Sequence, residues 1–368
     1  MKRLIRTFAL ISATTMVVAL VGCNSVDKSF GSYEGTWGGN PGSVQPAVLP
    51  GSQGLAEAMQ VQNQNTPSLM AIDGVVGTGA SVSDDDSPVV VVFTEKSGVA
   101  GIPSTVGGVP VTVKVVGKVQ ALAGAAKPTT SSTSTAPVCV APNRAAEFAR
   151  PVPIGVSTGH YAITAGTIGL RVKDKSGKLF LLSNNHVFAN TNLGKVGDNI
   201  LQAGPYDGGV NPDDAIATLS AWQPITYCAG TLCPANTMDA ALAATTADLA
   251  GNATPCDGYG TPSKTVANPI IAGLAVKKYG RTTGLTTGSI AAVNVTINVG
   301  YATGTAQFTG QIYIATANFN GPGDSGSLIV TATDNKPVGL LFAGTSAATF
   351  ASPISPILTK FGVTVDGI

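Results

Sequence analysis

The stretch Asn320-Gly-Pro-Gly-Asp-Ser-Gly-Ser327 sets a serine among glycines. A serine on so tight a turn presents its hydroxyl as a nucleophile, while neighbouring backbone N–H groups converge on the oxyanion that forms when the hydroxyl attacks a carbonyl. Gly323 and Gly326 have no Cβ, so the backbone can take up the conformation and the close substrate approach that such a hole requires. Ser325 is therefore the candidate nucleophile, and the N–H groups of Gly323 and Ser325 are the candidate oxyanion hole. The hydroxyl needs a base to take its proton, and the chain holds 2 histidines. His186 ends the apolar run Leu181-Leu-Ser-Asn-Asn-His-Val-Phe188, which delivers it rigidly from a strand end, whereas His160 lies in the turn-like Gly155-Val-Ser-Thr-Gly-His-Tyr161; His186 is favoured. The imidazole in turn needs a carboxylate to hold its tautomer and stabilise the imidazolium. Asp239 suits that role because the apolar run Met238-Asp-Ala-Ala-Leu-Ala243 embeds it, while Asp213 and Asp214 sit in a more polar turn.

Such positioning calls for strands, and the composition supplies them. Hydrophobic residues make up 44% of the chain and charged residues 11%, with 45 Gly, 23 Pro and 6% aromatics, a balance that favours many short strands and tight turns. From about Val138 onward, apolar runs alternate with Gly-rich turns: Gly166 to Val172, Lys178 to Leu182, Ser289 to Val299, Gln311 to Ala315, Ser327 to Ala332 and Val338 to Ala343. Residues 138–368 read as one two-barrel β domain, closed by a short helix from Pro353 to Phe361. Ahead of it, residues 53–124 read as a small α/β module, with a helix from Leu55 to Gln62 and strands Pro88 to Phe93 and Val109 to Val116. Residues 125–137 are a Ser/Thr/Pro linker, the natural place for processing. Asp84, Asp85 and Asp86 lack the ligand spacing of a calcium loop and read as a solvated turn; no metal is assigned. The fold class is thus mainly β, a two-barrel fold preceded by an α/β module.

Lys2, Arg3 and Arg6, followed by an apolar stretch from Phe8 to Val21, read as an export signal over residues 1–22. Leu20-Val-Gly-Cys23 matches a bacterial lipobox, so Cys23 is expected to carry lipid and become the mature N-terminus, tethered to a cell-envelope membrane by disordered residues 23–52. That use of Cys23 leaves Cys139, Cys228, Cys233 and Cys256, an even set for disulfides. Four cysteines allow three connectivities; Cys228 with Cys233 and Cys139 with Cys256 is favoured because the first pair closes a short turn, and a zinc site lacks a nearby ligand histidine. A formal net charge of +1 gives no field to draw the chain onto nucleic acid, and no cofactor is implied.

Chain order narrows the fold. His186, Asp239, Ser325 is the order of chymotrypsin, whereas α/β-hydrolases run Ser, Asp, His and subtilisins Asp, His, Ser. Gly-Asp-Ser-Gly-Ser around Ser325, Asn-His-Val around His186 and Met-Asp-Ala-Ala around Asp239 resemble the chymotrypsin/trypsin-like serine peptidases. Arg150-Pro-Val-Pro-Ile-Gly155, Ala165-Gly-Thr-Ile-Gly169, Gln202-Ala-Gly-Pro-Tyr-Asp-Gly-Gly209 and Gly280-Arg-Thr-Thr-Gly-Leu-Thr-Thr-Gly288 are, more closely, similar to the Narrow Leaf-type bacterial and plant trypsin-like proteins, over about residues 60–368. The resemblance implies an endopeptidase acting on polypeptides through a His-Asp-Ser triad and an acyl-enzyme. It also implies a specificity pocket based on Phe319 and walled by Phe342, Ala343 and Gly344. No acid lies there, so a small or apolar residue is expected before the scissile bond. Animal relatives pair the aspartate before the nucleophile with a freshly cut N-terminus; more than a hundred residues precede this domain, so Asp324 needs another partner, and activity is expected without that cut. The competing reading is a catalytically silent lipoprotein of the same fold that serves as a binding or scaffold module.

Overall fold

The computed structural model describes residues 52–122, 124 and 139–368. Helix α1 (Gln53–Met70) opens with Ser52 as its cap, the serine side chain accepting the Leu55 N–H at 3.1 Å. The helix runs eight residues beyond Gln62, through Pro67, because Leu69 in its last turn is buried in a cluster with Val75, Val90, Val92, Val106 and Val109. Burial there outweighs the hydrogen bond a proline cannot donate. Strands β1 (Val75–Val82) and β2 (Pro88–Thr94) form an antiparallel hairpin. β3 (Thr105–Val106) turns into β4 (Val109–Val115), which lies parallel to β2, and β5 (Gln120–Ala121) follows. In the hairpin turn Asp85 accepts the Ser83 hydroxyl at 2.6 Å and the Ser87 N–H at 3.3 Å. Those bonds, the Ser83 hydroxyl foremost, hold its carboxyl below the usual range, as suits a solvated turn.

Two barrels follow. The first takes in β6 (Ser157–His160), β7 (Gly166–Thr167), β8 (Leu170–Asp174), β9 (Leu179–Ser183), the one-turn helix α2 (Asn185–Phe188), β10 (Asn199–Leu201) and β11 (Ala215–Trp222). The short β12 (Ala235–Asn236) leaves for the other sheet before β13 (Ala241–Ala244) returns. β7 and β8 act as two halves of one kinked strand, pairing with β6 at one end and β9 at the other. That closes the ring through β13, β11 and β10. Its interior holds Ile154, Val156, Ile168, Leu181, Phe188, Ile200 and Ile216.

The second barrel consists of β14 (Ala275–Gly280), β15 (Gly284–Tyr301), β16 (Gly304–Ile314), β17 (Leu328–Thr331), β18 (Pro337–Gly344) and β19 (Thr349–Pro353). Its ring runs β14, β15, β16, β19, β18, β17 and back to β14. Helix α3 (Ile354–Phe361) is the expected closing helix, and β20 (Val363–Val365) pairs with β8 on the first barrel. Leu170, Leu182, Leu328, Leu340 and Ile357 pack in one cluster that joins α3 to strands of both barrels.

The N-terminal segment differs from the module expected of it in having no sheet of its own. β1 pairs with β15, Gly77 opposite Ile297 and Thr78 opposite Thr296, so β1, β2, β4 and β3 continue the second barrel's sheet. The reason lies in β15, whose stretch Ala292–Ile297 is buried throughout and needs cover on both faces. Asn294 there has φ +53° and donates to Gln62 at 2.6 Å and Asn63 at 2.8 Å, both on α1. Cys139 bonds to Cys256 and Cys228 to Cys233, the favoured pairing. Two disulfides mark a protein that folds in an oxidising compartment, outside a reducing cytosol. Residues 1–22, Cys23, most of the tether and the linker at 125–137 lie outside the described residues.

Candidate active site

The loop that carries Ser325 enters β17 and is clamped from the first barrel by β7. Thr167 donates its N–H to the Ser325 carbonyl at 2.8 Å and its hydroxyl to the Gly323 carbonyl at 2.8 Å. Gly323 (φ +100°) and Gly326 (φ +93°) occupy backbone territory that side-chain-bearing residues rarely enter. A Cβ on Gly326 would also collide with the Ser183 hydroxyl and the Thr167 carbonyl, where the two barrels touch. Asp324 is wholly buried and its carboxylate is saturated with donors. Thr282 N–H reaches it at 2.8 Å, Thr283 N–H at 3.2 Å, the Thr283 hydroxyl at 2.6 Å, Gly321 N–H at 2.9 Å, and Lys278 Nζ pairs with it at 3.4 Å. The partner that a free N-terminus provides in animal trypsins is here an internal lysine. Burial pushes the Lys278 ammonium down from its usual pKa, while Asp324 pulls it back up.

Asp239 precedes β13, and β13 lies antiparallel to β9 with Ala241 opposite Ser183, so the ends of these strands bring Asp239 beside His186. His186 Nδ1 stands 2.5 Å from Asp239 Oδ2, and the His186 backbone N–H donates to Oδ1 at 3.2 Å. Asp239 is wholly buried and His186 nearly so. The Tyr301 hydroxyl, at the end of β15, donates to the same Oδ2 at 2.8 Å; burial and then the aspartate charge raise that phenol well above its ordinary pKa. Asn184 fixes the aspartate backbone by donating to its carbonyl at 2.7 Å. Among the described residues, His186 Nε2 is buried without a hydrogen-bond partner. With Nδ1 facing a carboxylate, the neutral ring carries its proton there, and Nε2 keeps a lone pair for a proton to be taken.

Ser325 is wholly buried, where an exposed hydroxyl was expected, and its Oγ donates to the Phe342 carbonyl at 3.2 Å. Gly323 N–H, one half of the expected hole, donates at 2.6 Å to the carbonyl of Leu122. Phe319 is buried in one apolar cluster with Leu122, Ile290 and Leu341, and Lys278 Nζ lies 5.9 Å from its ring centroid. The Phe342 ring turns away into the second barrel, 4.8 Å from the Phe308 ring, so it addresses the site through its carbonyl and is not a pocket wall. Ala343 and Gly344 line the cleft edge of β18, where β5 pairs with them. His160 is satisfied elsewhere: Nδ1 accepts Ala162 N–H at 3.1 Å and Nε2 lies 3.0 Å from Asp198. Asp214 caps its own turn by accepting Val210 N–H at 2.7 Å.

Sequence reasoning missed Leu122, Lys278, Tyr301 and the pair Arg281–Asp207. Arg281, wholly buried, donates from Nε at 2.6 Å and Nη2 at 2.5 Å to Asp207, tying Gly280-Arg-Thr-Thr-Gly284 to Gln202-Ala-Gly-Pro-Tyr-Asp-Gly-Gly209 across the barrels. A lysine and an arginine inside or beside a buried strand were the available signal; Tyr301, at the end of its strand, had none.

Two closed β-barrels with a glycine-flanked serine, a histidine and a buried carboxylate at their junction define the trypsin-like serine-protease fold. The model of the Nal1 C-terminal domain family matches residues 259–351. No curated protein matches the chain. Among solved structures the chain is similar to Thermobifida fusca Protease A, with 21% identity over 59% of this chain and 99% of that one at a TM-score of 0.41. It is similar also to Cellulomonas bogoriensis chymotrypsin, with 23% identity over 59% and 99% at 0.40. A third is a glutamic acid-specific serine protease, with 21% identity over 58% and 100% at 0.42.

Proposed function

We propose that the protein is an exported serine endopeptidase, held to the cell envelope by lipid on Cys23 and related to the Narrow Leaf-type trypsin-like proteins. The observation that carries this reading is the His186–Asp239 pair at 2.5 Å, with Nε2 lacking a hydrogen-bond partner among the described residues, together with a glycine-flanked serine loop whose Gly323 N–H already holds a peptide carbonyl at 2.6 Å. In the reaction the Ser325 hydroxyl turns from the Phe342 carbonyl to His186 Nε2, which takes its proton as Oγ attacks the substrate carbonyl. Gly323 and Ser325 N–H groups stabilise the resulting oxyanion. His186 then protonates the leaving amine, and water releases the acyl group by the reverse sequence. Asp239 stays ionised throughout, holding the ring and its positive charge. The pocket at Phe319 is apolar, which favours a small or apolar residue before the scissile bond.

The test is labelling of the purified full chain with a fluorophosphonate, with the adduct mapped by mass spectrometry. The expected adduct is on Ser325, slowed by about 10⁴-fold in Asp239→Asn and at least as much in His186→Ala. Ser325 left unlabelled in the folded full chain and also in a folded variant whose cleft is cleared of Leu122 would overturn the reading in favour of a binding or scaffold module.

A further inference from the structure

The cleft of this protein is occupied by its own chain. β5 runs antiparallel to the edge of β18, with Ala121 opposite Ala343 and Gln120 opposite Gly344. The following residue, Leu122, donates its N–H to the Phe342 carbonyl at 3.1 Å and places its carbonyl oxygen 2.6 Å from Gly323 N–H. The Phe342 carbonyl is also the one that Ser325 Oγ reaches, at 3.2 Å, so the nucleophile and the Leu122 peptide group share an anchor. The Leu122 side chain is 5% exposed and sits in the apolar cluster of Phe319, Leu341, Ile290 and Val276. Strand addition fixes the register, the side chain fills the pocket, and the carbonyl engages one of the two donors of the hole, which is how a peptide must be held to become an acyl donor.

We propose that Gln120–Leu122 is the internal substrate of the enzyme, and that Ser325 cuts the Leu122–Ala123 bond of its own chain. The proposal rests on the peptidase reading above. Ser325 Oγ bonds to the Leu122 carbonyl carbon as its proton passes to His186 Nε2. The Leu122–Ala123 C–N bond breaks and the Ala123 amine leaves with that proton. Water then attacks the Leu122 ester, giving its proton through His186 to Ser325 Oγ and leaving a Leu122 carboxylate. This new C-terminus stays in the cleft, because β1 remains paired with β15 and α1 remains packed on the same sheet. No sulfur bridge crosses the cut among the described residues, since both disulfides join residues beyond it. The site lies ahead of the Ser/Thr/Pro linker that composition alone marks for processing.

The experiment follows the purified full chain on denaturing gels, by intact mass and by N-terminal sequencing, with fluorophosphonate labelling of Ser325 in parallel. Wild type should yield a fragment beginning at Ala123 that co-elutes with its N-terminal partner under native conditions. Ser325→Ala should stay whole. Leu122→Asp, which puts a charge into the apolar pocket, should stay whole yet label faster than wild type because its cleft is open. Leu122→Met should still be cut, which keeps the outcome readable if the aspartate variant does not fold. Wild type that stays whole while Ser325 labels would overturn self-cleavage and leave the peptidase reading standing. Absence of labelling in wild type and in folded Leu122→Asp would overturn both. A new N-terminus elsewhere, or equal cutting in Ser325→Ala, would also overturn the proposal.

Discussion

Asp239 receives the Nδ1–H and backbone N–H of His186 and the hydroxyl of Tyr301. Tyr301 comes from the far end of a long strand, so its contribution can be isolated by deleting one oxygen. A hydrogen bond to a charged group is worth about 1.5–3 kcal/mol, and part of it is felt in the transition state as the imidazolium forms. Tyr301→Phe is expected to label with fluorophosphonate about tenfold more slowly at neutral pH, with an unchanged circular dichroism spectrum; a rate equal to wild type would show that the tyrosine merely packs. At this scale the sequence was informative where chemistry demands a residue type. Ser325, His186 and Asp239 stand out because so few residues of each kind sit in a suitable setting, whereas a phenol serving a carboxylate has no sequence signature.

Between elements, the pair Lys278–Asp324 connects β14 to the nucleophile loop with both side chains wholly buried. Removing one partner of such a pair strands the other charge in a low-dielectric interior, at a cost of about 3–5 kcal/mol. Lys278→Met should therefore lose stability of that order in denaturant titrations, and its fluorophosphonate labelling should fall as the loop loses its anchor. A loss under about 1 kcal/mol would mean that the four N–H and hydroxyl donors to Asp324 hold the loop without the lysine. Some strands were legible from β-branched content and alternation: β2, β4, β9, β17 and β18 agree with the expected runs within a residue or two. α1 and β15 both run past their expected bounds. Leu69 prolongs the helix past a proline, and hairpin pairing with β14 and β16 carries β15 out to Gly284 and Tyr301, so the burial and pairing of neighbouring elements decide where each element ends.

For the whole molecule, Cys139–Cys256 spans 117 residues and joins the start of the first barrel to the segment leading into the second. A loop of that length, if left open, adds conformational entropy to the unfolded chain worth about 4–5 kcal/mol on a chain-entropy estimate. Cys139→Ser and Cys256→Ser should each lower stability by up to that amount in chemical denaturation, and equally, because either opens the same loop; an effect confined to one variant would trace to local packing. The sequence by itself determined the chemistry on offer, the β-rich class and the chain order of histidine, aspartate and serine, because these depend on residue type, short-range periodicity and succession. Only the tertiary structure decided that the N-terminal segment extends the second barrel's sheet, that Lys278 replaces a cut N-terminus as the partner of Asp324, and that Leu122 occupies the cleft. Each is a contact between segments far apart in the chain, specified by shape and by the need to bury apolar faces and satisfy polar groups once the barrels have closed, and no local pattern encodes such a contact.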